Sequence, residues 1–157
     1  MQNIKRIKFL KGLLNIIGSF MILLLIISVY YIIIVDSREL KGILMYFILQ
    51  LMFIGGYLIT IITLKKIFDS LLKKNPFNLN NIIYFKRIGY SIFVVGIIDA
   101  ILNYPKPNHS NLNIMLTSYG SLKPTFFLYL VLSCLAFILG DVFRMAMEIQ
   151  DENDLTI

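Results

Sequence analysis

The chain has 157 residues, 58% of them apolar and only 15% charged, with a formal net charge of +6. A single soluble core of this size cannot hide that much apolar surface, and ordinary soluble domains carry roughly a quarter charged residues. The basic residues flank apolar runs in short clusters. That is the pattern of topology determinants and anionic-lipid contacts, and it argues against direct binding of nucleic acid.

Four apolar segments dominate, at about 12–35, 42–64, 88–104 and 124–147. A helix needs about 20 residues to cross the hydrocarbon core of a bilayer. The first two segments hold no charge, and the third contains Asp99. Lys5, Arg6, Lys8 and Lys11 precede the first run as they would a signal peptide. The run is too long for that role and lacks a small-x-small cleavage site, so it reads as an uncleaved first span.

The connection 65–87 begins as a continuation of the second helix. Ile67, Phe68, Leu71 and Leu72 share one face, with Lys65, Lys66, Asp69, Lys73 and Lys74 around the rest. Asn75-Pro76 stops it, because the residue before proline is pushed out of helical geometry. Asn78 or Asn80 caps the next turn, and the stretch reads as lying on the membrane surface. The polar loop 105–123, rich in proline and asparagine, reads as coil and holds His109 and the sequon Asn108-His109-Ser110.

Lysine and arginine collect on the cytoplasmic side of short loops. The N-terminal tail and 65–87 hold ten of them, and the opposite side holds Arg38, Lys41, Lys106 and Lys123. The expected fold is therefore all-α: an integral membrane four-helix bundle with both termini cytoplasmic and a tail at 148–157.

Asp99 is the costliest residue, since a carboxylate within a membrane helix costs at least about 2.5 kcal/mol. Three roles are open to it. It is protonated or snorkels outward, it hydrogen-bonds across helices, or it binds a cation or proton on a transport path. Asn103, one turn on, is its nearest polar neighbour in sequence. Asp141 and Arg144 lie three apart, and Arg144 and Glu148 four apart, spacings that permit local ion pairs or a docking face for a partner. Asn15, Gln50 and Ser133 read as interhelical glue, and Gly18-Ser19 and Gly55-Gly56 as points of close helix approach.

A lone Cys134 cannot make an internal disulfide, and a lone histidine excludes a histidine-based metal cluster. No phosphate-binding glycine loop, metalloprotease motif or serine elbow occurs. No catalytic residue, metal or cofactor is expected, and the chain does not read as an enzyme.

From Asp141 onward the chain has five acids and one arginine, facing the basic 65–87 segment. Val142-Phe143-Arg144 followed by 147–157 resembles the C-terminal signature of a family of small bacterial four-helix membrane proteins, domain-of-unknown-function family 2975. Asn75-Pro76-Phe77, Asn80, Lys86-Arg87 and Ile88-Gly89 are similar to that family's central loop. The resemblance implies the four-helix membrane fold in a bacterial plasma membrane, and no activity or catalytic residues. It also implies pairing with a small helix-turn-helix regulator. The cytoplasmic face of 65–87 and 141–157 is then expected to hold a soluble DNA-binding partner through Asp151, Glu152, Asn153, Asp154, Leu155, Thr156 and Ile157. The alternative is a small transporter, channel or accessory subunit centred on Asp99. Homo-oligomerisation stays open in either case, because four helices enclose little volume.

Overall fold

A computed structural model describes residues 2–34, 40–73, 77–104, 115–117 and 120–154. Four helices account for nearly all of them: α1 (Gln2–Ile34), α2 (Leu40–Leu72), α3 (Leu79–Asn103) and α4 (Pro124–Asp154). The expected helices are present but longer, and most of 65–87 is helix, divided between the end of α2 and the start of α3. Asn75-Pro76, His109 and 155–157 lie outside the described residues.

The described residues of 105–123, which are 115–117 and 120–123, differ from the coil reading. Strands β1 (Met115–Thr117) and β2 (Gly120–Leu122) pair antiparallel, with Thr117 opposite Gly120. Two residues separate them, the commonest hairpin spacing, and that pairing outweighs the coil-forming composition around it. The fold is all-α apart from this hairpin, and β2 lies against α3.

α3 is the centre of the bundle. It packs on α2 along one side and α4 along the other, and α1 leans on α2. Glycines permit the closest approaches. A Cβ on Gly56 would collide with Val95 of α3. One on Gly89 would stand 2.8 Å from the Phe137 ring of α4, and one on Gly96 would stand 2.7 Å from Tyr129 Cβ. Gly55 meets nothing within 4 Å, whereas the Gly18 position faces Ile61 at 3.6 Å.

Serine hydroxyls fasten these contacts. Ser91 donates to the Gly56 carbonyl at 2.7 Å, and Ser133 donates to the Gly89 carbonyl at 2.9 Å. With no side chain over it, a glycine carbonyl can be reached from the next helix. Such interhelical bonds contribute roughly 0.6 kcal/mol each in lipid. Ile67, Ile88 and Ala136, from three different helices, form the buried apolar cluster nearer the charged end.

Among the described residues three helices are long and apolar enough to cross a membrane: α1 over Ile4–Tyr31, α2 over Leu44–Leu72 and α4 over Pro124–Asn153. Most of their residues are exposed, which in water would be an unsustainable apolar surface. α3 does not reach that mark. Lys86, Arg87 and Asp99 interrupt its apolar run and leave 88–98 as the charge-free stretch. At about 1.5 Å per residue that is roughly 17 Å, against a hydrocarbon core of about 30 Å.

Candidate functional site

Two polar regions lie at opposite ends of the bundle. The first is the charged end, where the N-terminus of α1, the corner between α2 and α3, and the last turns of α4 come together. Lys11 of α1 pairs with Asp69 of α2, and Lys86 of α3 lies 3.7 Å from Asp141 of α4. Cross-helix pairs thus gather the basic clusters and the acidic end of α4 on one side of the molecule.

The local pairs divide. Arg144 donates to Glu148 at 2.9 Å, as its spacing permits. Asp141 turns to Lys86 on the neighbouring helix rather than to Arg144. The pairs of Lys86 and Arg144 are mostly exposed, so each contributes about 0.2–1 kcal/mol. They set register more than they hold the fold.

Aromatic rings reinforce the same joint. Phe143 of α4 packs against Phe85 of α3, with centroids 4.9 Å apart, and against Phe77 of the corner, at 5.6 Å. Beyond Gly140, α4 runs on through Asp154 and exposes Val142, Met145 and Ile149. Their spacing puts them on one face. Asp151, Glu152 and Asn153 are exposed on its last described turn.

The corner between α2 and α3 holds an open polar pocket of about 370 Å³. Its floor is a hydrogen-bonded knot. Asn78 and the fully buried Asn81 both donate from their side-chain amides to Ser70 Oγ, at 2.8 and 2.9 Å. Asn78 also caps α3, its side-chain oxygen accepting from the Asn81 N–H. Lys66 and Lys73 stand at the rim with Asp69, and the Lys66 ammonium sits 5.5 Å from the centre of the Tyr84 ring.

The second polar region surrounds Asp99. Asn103 donates to Asp99 Oδ1 at 3.0 Å and to its carbonyl at 2.9 Å. Thr125 of α4 donates to Oδ2 at 3.3 Å, and Lys123 donates to Asn103 Oδ1 at 2.9 Å. Close below, the Tyr57 and Tyr129 hydroxyls meet at 2.7 Å and join α2 to α4. Asp99 also lines a cleft of about 680 Å³ between α1, α2 and α3, with Ser28, Tyr31, Gln50 and Asn103 among its polar or amphipathic walls.

Several of these partners were not foreseen from the sequence. Asp99 gains Thr125 and, through Asn103, the Lys123 amine. The signal for Lys11–Asp69 was present, since Asp69 is the one acid in the basic 65–87 segment. Gly89 and Gly96 are seven residues apart, two helical turns on one face, a spacing that marks a close-packing stripe. Among the described residues no group of three histidine, cysteine or acidic side chains is placed to hold a metal. Cys134 is exposed on α4.

Comparison with curated proteins and with solved structures finds no match for the chain. A family model, protein of unknown function (DUF2975), matches residues 39–157. That match takes in α2, α3, α4, the pocket corner and the Asp99 cluster. On this extent the chain belongs to the DUF2975 family.

Proposed function

We propose that the chain is a multi-pass interaction protein of the bacterial plasma membrane, without enzymatic activity, whose cytoplasmic face binds a soluble partner such as a helix-turn-helix regulator. All four helices cross, with both termini inside. α3 crosses as the shielded central helix, with two of its three charges met: Lys86 by Asp141 at one end, Asp99 by Asn103 and Thr125 near the other. A satisfied polar group within a bundle costs far less than one facing lipid.

The observation that carries this reading is the projecting end of α4. Its 31 residues span about 46 Å, well beyond a hydrocarbon core of about 30 Å. The excess at the charged end displays the Val142–Met145–Ile149 stripe beside Glu148, Asp151 and Glu152. An amphipathic helix offering apolar anchors at this spacing is a common mode of helix-in-groove recognition.

The test is purification of the tagged protein in mild detergent from its own host, comparing the intact chain with one lacking 151–157. Recovery of a DNA-binding regulator with the intact chain only, and altered transcription on deletion of the gene, supports the reading. Recovery of no such regulator, with unchanged transcription, overturns it.

The cleft beside Asp99 favours a second reading, a small transporter or accessory subunit. It has volume for a small solute and a carboxylate on its wall. Asp99→Asn abolishing a measurable flux while the protein still inserts would establish it.

A further inference from the structure

We infer that the pocket at the α2–α3 corner binds the phosphate of an anionic phospholipid headgroup. The pocket is an open depression of about 370 Å³ lined by lysine and asparagine side chains. Lys66 and Lys73 stand over one acid, Asp69, whose charge Lys11 already meets from α1. Lys73 makes no ion pair among the described residues, and the Lys66 ammonium is held over the Tyr84 ring. The exposed Asn80 adds an amide donor at the rim. Lysine ammonium and amide N–H groups together suit a phosphate oxygen.

The surroundings point to a lipid source. Phe77, Leu79 and Ile83 are exposed apolar side chains beside this polar pocket. A basic, hydrogen-bonding cavity edged by exposed apolar residues is what an interface between headgroups and acyl chains accommodates. The phosphate enters the cavity while the apolar edge meets the top of the acyl chains. The inference rests on the chain spanning a bilayer. It is independent of the soluble-partner proposal and of which leaflet the pocket faces.

The probe is phosphatidylglycerol added to the full chain in mild detergent, with phosphatidylcholine and inorganic phosphate as parallel arms. Bound lipid is counted by native mass spectrometry and the shift in thermal unfolding is followed. Phosphatidylglycerol is expected to bind and raise the unfolding temperature, and the other two are not. Each lysine near a membrane surface is worth about fivefold in affinity, so Lys66→Gln with Lys73→Gln weakens binding roughly thirtyfold. Asn80→Asp, which puts one negative charge at the rim, weakens binding about fivefold by an independent route. Lys5→Gln with Lys8→Gln removes equal charge elsewhere and weakens binding less, because those lysines lie outside the pocket.

Equal weakening by the Lys5/Lys8 pair, or none by the Lys66/Lys73 pair, overturns the inference. So does an equal response to inorganic phosphate without lipid. A chain that fails to partition into membranes fails the spanning reading instead, and one that partitions but ignores phosphatidylglycerol fails this inference alone.

Discussion

The rings of Phe77 and Phe143 lie 5.6 Å apart at an angle of 43°, and so join the corner after α2 to the part of α4 that runs beyond the bundle. Phe143 meets Phe85 as well. The two segments with the most specific sequence character thus form one surface.

Phe143→Ala removes both ring contacts, each worth about 0.5–1.5 kcal/mol beyond area burial. We expect a loss of roughly 1–3 kcal/mol in reversible unfolding in detergent, with α1–α3 helicity retained. Loss below about 0.5 kcal/mol would mean that the joint does not hold the end of α4.

Gly96→Ala places a Cβ against Tyr129 Cβ, an atom fixed to the backbone of α4. Overpacking of this kind costs about 1–3 kcal/mol. Gly55→Ala is the control. It meets open space, and alanine is favoured over glycine in a helix by about 1 kcal/mol, so it is expected to be neutral or stabilising. Thermal unfolding of the two variants side by side checks the contrast.

Asp99→Leu removes the side-chain acceptor of both Asn103 and Thr125 and leaves Asn103 its bond to the residue-99 carbonyl, whereas Asp99→Asn keeps a side-chain oxygen. If Asp99 holds α3 to α4, the leucine variant loses about 0.6–2 kcal/mol and the asparagine variant less than half of that. Equal losses would place the importance of Asp99 in its charge.

Lys86→Glu with Asp141→Lys reverses an exposed pair. A double-mutant cycle is expected to give a coupling of about 0.2–1 kcal/mol that fades with added salt. A salt-insensitive coupling above that range would mark the pair as shielded from solvent.

The architecture was legible because apolar length and charge clustering are summed over many residues. Helix existence, the end of α2 at Leu72 and the Asn78 cap all follow from local chemistry. What was not legible depends on which faces meet. The partner of Asp141 is decided by packing of α3 on α4, not by spacing along α4. The Asp99 cluster draws Lys123 and Thr125 from beyond a long loop, a juxtaposition that no local pattern encodes. The hairpin at 115–122 was hidden because its strands are three residues each, too short for an alternation to stand out. The third segment read as a span because it is an apolar run despite Asp99, yet α3 falls short of that mark. Only its position between α2 and α4 gives a reason for it to enter the bilayer.

The central claim is that four helices cross the membrane and leave the α2–α3 corner and the end of α4 on the inner side. Single cysteines placed in a Cys134→Ser background, with a membrane-impermeant maleimide applied to intact cells, test it directly. The account predicts labelling of Asn111→Cys in intact cells, and of Asn80→Cys and Glu152→Cys only after permeabilisation. Labelling of Glu152→Cys in intact cells, or of Asn80→Cys and Asn111→Cys from the same side, would contradict it.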